Sequence, residues 1–296
     1  MKASKKTVLK RNIDGYAFAA PALIGLFVFT LYPLVCSIFY SFTDWNILSD
    51  AKFIGFDNYT KLMNDEVFLI SLKNTLKWVV IYVPLSLIIS FGLALIAELP
   101  IKGVNAFRAI FYLPVVCPLI VIALLFTWLY NTEFGLINYG LSLLGIGPVG
   151  WLTNPNLAIF SIALMSVWKM AGYNMVVLLA GLQAVPRSVY EAAELDGIKS
   201  YQKIWFIKLP LIMPAVYFVV VYAIINAFQV FTEIFTMTRG GPGNSTNTLV
   251  YYLYTKAFTH NEMGYASAIA IIMAIIIMIV TVLQKYVLGS KVQYET

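Results

Sequence analysis

Residues 191–210 read Glu-Ala-Ala-Glu-Leu-Asp-Gly-Ile-Lys-Ser-Tyr-Gln-Lys-Ile-Trp-Phe-Ile-Lys-Leu-Pro. The run 170–186 lies before them and the run 209–232 opens at their end, and neither run holds an Asp, Glu, Lys or Arg. So polar a segment stands out in a chain of 296 residues that is 60% hydrophobic and 11% charged, with a mean hydropathy of +0.82. It must meet water; its flanks need not. Further charge-free runs cover 15–43, 78–97, 109–132, 134–168 and 263–284. Most of them reach the roughly 20 residues that a helix needs to cross about 30 Å of hydrocarbon.

A soluble domain of this size needs far more charge to solvate its surface. Backbone groups in lipid must be satisfied within their own segment, so helices are the default. A β-barrel would show strands of about 10 residues alternating apolar and polar, and the chain shows no such alternation. The expected fold is therefore all-α, a polytopic membrane protein with helices near 16–42, 75–97, 107–131, 157–182, 209–235 and 264–287. The run 134–168 is too long for one span and begins with Gly135, Gly140, Gly145, Gly147, Pro148, Gly150 and Pro155. These turn formers make 132–156 a loop, after which the fourth helix starts near Leu157 and carries Lys169. The domain reading is an N-terminal segment 1–15, a six-helix domain 16–287 and a tail 288–296.

Basic residues assign the sides. Segments 1–11, 98–108, 184–208 and 284–296 hold five, two, four and two Lys or Arg, whereas 44–74, 132–156 and 236–264 hold three, none and two. The positive-inside rule puts both termini and the loop 184–208 in the cytoplasm, and six crossings satisfy that parity. Lys2, Lys5, Lys6, Lys10 and Arg11 precede an apolar run that is too long for a signal peptide, and Ala17–Ala19 precedes the run instead of closing it. It reads as a retained first helix. Cys36 and Cys117 fall far apart inside apolar runs and read as packing residues. The single His260 has no partner at ligand spacing, so no metal site is expected. Pro21, Pro33, Pro84, Pro114 and Pro118 punctuate the spans and predict kinks.

The polar loop reads as two short helices joined at a bend. Glu191, Ala192 and Ala193 favour helix, and Gly197 is free to take the left-handed conformation that ends one. Residues 199–206 follow as about two turns, with Ile198, Tyr201, Ile204 and Trp205 forming an apolar face. Pro210 is expected to open the next membrane helix, where its missing donor costs least. A plain solvated hairpin with an aromatic anchor has a similar composition; the register separates the two readings.

Glu, two Ala, Gly197 and Ile207-Lys-Leu-Pro210 fall in the order of the EAA loop, and the chain resembles the permease subunits of binding-protein-dependent ABC importers. Two other stretches extend the likeness. Ala180-Gly-Leu-Gln-Ala-Val-Pro-Arg-Ser-Val-Tyr190 resembles the approach to that loop in sugar permeases. Thr238-Arg-Gly-Gly-Pro-Gly-Asn-Ser-Thr-Asn-Thr-Leu-Val-Tyr-Tyr252 resembles the external segment of the first permease in maltose, lactose, multiple-sugar and glycerol-phosphate systems. The resemblance implies a type I importer fold and a subunit that pairs with a second permease. It implies two separate ATPase subunits that bind ATP and Mg, an external solute-binding protein, and a bacterial or archaeal inner membrane. Glu191, Ala192, Ala193, Asp196, Gly197, Tyr201, Ile207 and Pro210 would then couple to the ATPase. Gly240, Gly241 and Pro242 would touch the binding protein.

Polar groups inside the spans suggest where solute passes. In the fifth helix Asn226, Gln229 and Glu233 are spaced by three and four and are expected to share one face; in the fourth, Ser166, Lys169 and Tyr173 do likewise, with Asn174 beside them. Tyr173 and Tyr222 are the expected aromatic platform for a sugar ring. Hydrogen bonding between helices is the bland account of the same residues, and Glu233 and Lys169 are expected near helix ends, snorkelling. Gly240–Gly243 lacks the spacing of a phosphate loop, and no catalytic constellation is legible. A carbohydrate, in particular an oligosaccharide, is the expected solute. Glycerol phosphate or an acidic saccharide competes with it, and an ion-coupled secondary transporter is the reading from another class.

Overall fold

The computed structural model describes residues 5–288, with side-chain surroundings for 15–286. Residues 1–4, and the expected tail beyond Leu288, lie outside the described residues. In chain order the elements are α1 (Lys5–Leu26), a π turn (Phe27–Leu31), α2 (Tyr32–Tyr40), the short strands β1 (Thr43–Asp44) and β2 (Lys52–Phe53), and α3 (Asp57–Met63). Then come α4 (Glu66–Glu98), α5 (Val104–Val116), α6 (Leu119–Leu129), α7 (Leu136–Leu143), α8 (Ala158–Ala184) and α9 (Arg187–Leu195). They are followed by α10 (Ser200–Lys203), a π turn (Ile204–Lys208), α11 (Leu209–Leu211), α12 (Met213–Phe228) and α13 (Thr232–Met237). The chain closes with α14 (Leu249–Tyr254), a π turn (Thr255–Thr259) and α15 (Met263–Leu288).

Among the described residues, four stretches are long and apolar enough to cross a bilayer unbroken: Gly15–Tyr40, α4, α8 and Met263–Tyr286. Two bent pairs, α5 with α6 and Ser200–Leu211 with α12, bring the count to six when each pair is one span. The all-α, six-span expectation is met on that reading. The least apolar of the four unbroken spans is also the most enclosed. In α8, 67% of the apolar window is buried, against none in Gly15–Tyr40. Ser161, Ser166, Lys169, Gly172 and Asn174 are affordable in α8 because it faces protein, where small and polar residues pack and bond.

The described residues divide into two compact units, 5–64 with 253–272 and 65–252 with 273–288. In the first, Asn58 Nδ2 donates to the carbonyls of Ser41 and Thr43 at 2.9 Å each and holds the short hairpin against α3. Glu262 pairs with both Lys61 (3.4 Å) and Lys256 (3.2 Å). In the second, α8 packs chiefly along α4, with α5 and α12 against the same pair. Trp78, Tyr82, Ile162, Met165 and Ile234 belong to one apolar cluster, and Ala94, Met175, Leu178, Ile212 and Val216 to another. At Gly172 a Cβ would stand 2.0 Å from the Phe111 carbonyl oxygen, so only glycine permits this approach of α8 to α5.

Several boundaries differ from expectation. The single helix expected at 107–131 is broken at Cys117–Pro118 with a 99° bend. Cys117 sits in extended backbone (ψ 140°), the conformation that a following proline imposes. The segment 132–156 is not wholly loop, because α7 lies within it. Asn138 stabilises it by donating to the carbonyls of Thr132 (3.1 Å) and Val149 (2.9 Å) and accepting from Trp151 Nε1 (2.9 Å). Pro210 lies in the last turn of the helix that begins at Ser200, and after a 74° bend Met213–Pro214 opens α12. The widened turn ahead of Pro210, closed by Leu209 N–H to Ile204 O, lets the helix continue where a tight turn would meet the proline ring. Tyr32 N–H to Phe27 O makes the same turn ahead of Pro33.

Candidate functional site

The polar loop folds as an elbow. α9 ends in a Schellman cap: Gly197 N–H reaches Glu194 O at 3.1 Å and Ile198 N–H reaches Ala193 O at 3.2 Å. That geometry requires a left-handed residue after the helix, and Gly197 supplies φ +68°. The second arm then runs as one rod from Ser200 to Leu211, longer than the two turns expected. Glu194 Oε1 accepts from Lys203 Nζ at 2.8 Å, which clasps the two arms. This hydrogen bond, with the lysine charge behind it, holds the Glu194 carboxyl below the usual carboxylate range.

Within the elbow, Ala193 is buried, while Glu191, Ala192, Asp196, Gly197 and Pro210 are exposed and Ile207 is half-buried. Leu195 (90% exposed), Tyr201 (59%), Trp205 (62%) and Phe206 (74%) present a protruding apolar surface. Of the expected face, Ile198 and Ile204 are half-buried, and Leu195 and Phe206 join it instead. The base of the elbow is tied to α4. Lys208 forms an ion pair with Glu98, the last residue of α4, and its ammonium lies 5.3 Å from the centre of the Tyr190 ring. Tyr190 OH donates to Leu182 O at 3.3 Å, and burial, followed by the charge of Glu98, pushes the phenol up.

The opposite end of α4 holds the glycine-rich loop. Asn74 Nδ2 donates to the carbonyls of Asn244 (2.7 Å) and Asn247 (3.0 Å), and Thr75 Oγ1 accepts from Leu249 N–H (3.0 Å). Gly240 is buried there, Gly241 and Pro242 are half-buried, and Gly243 and Asn244 form the exposed tip. The elbow and this loop thus hold α4 at points about 36 Å apart, at Glu98 and at Asn74.

Between these ends lies a cavity of about 250 Å³, lined among others by Trp78, Tyr82, Ser166, Lys169, Tyr222, Asn226, Gln229 and Glu233. Four of the six residues expected along the pathway, Tyr222, Asn226, Gln229 and Glu233, are therefore together, but the last three do not share one helical face. α12 ends at Phe228, Gln229 caps it, and Glu233 belongs to α13 after a break held by Thr248 Oγ1 donating to Val230 O at 3.3 Å. Tyr173 packs on Tyr222 at 5.4 Å without lining the cavity. Asn174 does not line it either; it is buried and donates to Ser86 Oγ at 3.0 Å, an interhelical bond.

Lys169 and Glu233 do not snorkel. Lys169 is 8% exposed in the middle of α8, 3.4 Å from the Val115 carbonyl in the last turn of α5, where helix carbonyls lack partners of their own. Glu233 accepts from Ser166 Oγ at 3.2 Å. Sequence reasoning missed Trp78 and Tyr82, whose rings stack at 5.8 Å. Their spacing of four beside Lys77 was the available signal. The pairing of Glu98 with Lys208 spans 110 residues and left none. No group of His, Cys, Asp and Glu among the described residues is arranged to hold a metal ion.

Residues 91–290 match the family described as binding-protein-dependent transport system inner membrane component. The chain belongs to that family. It is 36% identical over 92% of its length to the sulfoquinovosyl glycerol transport system permease protein of Agrobacterium fabrum, covering 89% of that protein. It is 34% identical over 97% of its length to the lactose transport system permease protein of Rhizobium radiobacter, covering 98% of it. Among solved structures, a chain of a bacterial ABC transporter involved in the import of the acidic polysaccharide alginate superposes with TM-score 0.86 at 25% identity. The match covers 97% of this chain and 99% of that one. This inner membrane component therefore has the type I importer permease fold.

Proposed function

We infer that this inner membrane component is the permease subunit of an ATP-driven importer for a carbohydrate, an oligosaccharide in the narrower reading, and forms half of the solute pathway. It pairs with a second permease subunit in a prokaryotic inner membrane. An external binding protein delivers solute, and two ATPase subunits bind ATP and Mg. The elbow 184–208 lies in the cytoplasm with both termini, within the six-helix domain 16–287. Its apolar crown carries the reading: four large side chains held out of the fold have a partner surface to meet. Glu191, Ala192, Ala193, Asp196, Gly197, Tyr201, Ile207 and Pro210 shape and support that contact. The named relatives and the alginate importer support the carbohydrate class.

Tyr222, Asn226, Gln229 and Glu233 offer hydroxyl, amide and carboxylate groups that suit a hydroxylated solute, with Trp78 and Tyr82 beside them as apolar ring faces. Tyr173 backs Tyr222, and Asn174 keeps α8 against α4. Gly240 shapes the outer loop, while Gly241 and Pro242 present its tip to the binding protein. The test is reconstitution with the candidate partners, a cysteine at Leu195, and a thiol-reactive cross-linker. A cross-link to the ATPase subunit together with vanadate-sensitive uptake supports the reading. Uptake driven by an ion gradient with no such cross-link overturns it.

A further inference from the structure

The base of the elbow holds an arrangement that neither the EAA register nor the cavity accounts for. Glu98 is the last residue of α4, where the helix dipole is negative and a carboxylate is disfavoured. The neighbouring carbonyl of Ala97 is already served by Arg108, whose Nη2 and Nε donate to it at 2.6 and 3.2 Å. A carboxylate at this position therefore adds nothing to the helix end itself. It is instead turned to Lys208, and both side chains are largely enclosed, at 17% and 18% exposed.

Lys208 closes the π turn of the elbow's second arm, a widened helical turn of the kind that recurs at functional positions. Its ammonium also rests over the ring of Tyr190 on the first arm, and Tyr190 is bonded back to the end of α8. Three elements thus meet at one charge pair, while the clasp of Glu194 on Lys203 keeps the arms together. From this point α4 runs as a single helix, with Pro84 inside it, to Asn74 and Thr75, which grip the outer loop, and passes Trp78 and Tyr82 in the cavity wall on the way.

We propose that the Lys208–Glu98 pair, seated on Tyr190, is the joint through which the elbow moves α4 and with it the cavity wall and outer loop. Glu98 and Lys208 are then positioning residues for transport. A push on the apolar crown reaches α4 only while the pair is closed. This rests on the coupling reading above, but it names a separate element that is able to fail alone.

The experiment uses the whole reconstituted transporter and reads solute moved per ATP hydrolysed. E98Q and K208Q should each lower that ratio about fivefold, the scale on which residues along a coupling route act, while ATPase subunits still copurify. The charge-reversed double variant E98K/K208E should recover most of it. A second form guards against simple misfolding: E98C/K208C, with Cys36 and Cys117 replaced, is measured before and after a short bifunctional thiol reagent. Cross-linking should raise the ratio in the same folded protein. An unchanged ratio in E98Q and K208Q overturns the joint, as does a lowered ratio that neither charge reversal nor cross-linking restores. Loss of ATPase binding by the unaltered protein would instead sink the coupling reading.

Discussion

At the scale of single residues, Gly197 is the position where backbone geometry and proposed function meet most closely. Its φ of +68° closes the Schellman cap on α9, and nothing stands within 4 Å of where a Cβ would be. Space is therefore no obstacle to substitution; conformation is. A β-branched residue there costs roughly 1–2 kcal/mol or more, whereas Asn tolerates the left-handed region. Gly197→Val should abolish uptake at wild-type membrane levels, and Gly197→Asn should keep most of it, measured as solute uptake normalised to immunoblotted protein. Equal uptake by both variants would remove the elbow's bend from the mechanism. This residue was fully legible in the sequence, since a lone glycine after a run of helix formers has one common use. Lys169 was not. Its place at the broken end of α5 depends on a neighbour 54 residues away.

Elements show the same division between local and distant causes. The break after α5 is half legible. Pro118 announces that Cys117 will be extended, but the 99° bend also needs α8 to receive it at Gly172. The break between α12 and α13 carries no proline or glycine at all, because a hydrogen bond from Thr248 holds it open. Periodicity therefore put Asn226, Gln229 and Glu233 on one face, and tertiary structure brought them together by another route. The elbow's own clasp yields a pH expectation. Glu194 is depressed from 4.5 by Lys203, so its contribution is complete above that value and is lost as pH falls through the lower folded value. Amide exchange across the elbow, corrected for intrinsic rates, should hold steady from about pH 8 to 5 and quicken at more acid pH. Lys203→Gln should erase that acid step. A quickening between pH 8 and 5 in the unaltered chain would rule the clasp out as its source.

On the scale of the whole molecule, charge counting and architecture make one joint statement about sidedness. The positive-inside rule expects the elbow and the glycine-rich loop on opposite faces, and the points at which they hold α4 lie about 36 Å apart. Single cysteines at Ser200 and Asn244, both exposed, test it in a background without Cys36 and Cys117. In right-side-out vesicles an impermeant maleimide should label the Asn244→Cys protein at once, and the Ser200→Cys protein only after the vesicles are opened. The reverse pattern would invert the molecule. The composition of α8 carries a different consequence, one for biosynthesis. A helix with a lysine at its midpoint partitions poorly from the translocon into lipid, at about 2.5–3.5 kcal/mol for that one residue. Yet α4 and α5 leave the ribosome first, so Ser86 and the Val115 carbonyl already wait in the bilayer for Asn174 and Lys169. Chain order thus supplies the polar helix with hosts before it is made, and a circular permutation that released α8 ahead of them would strand it.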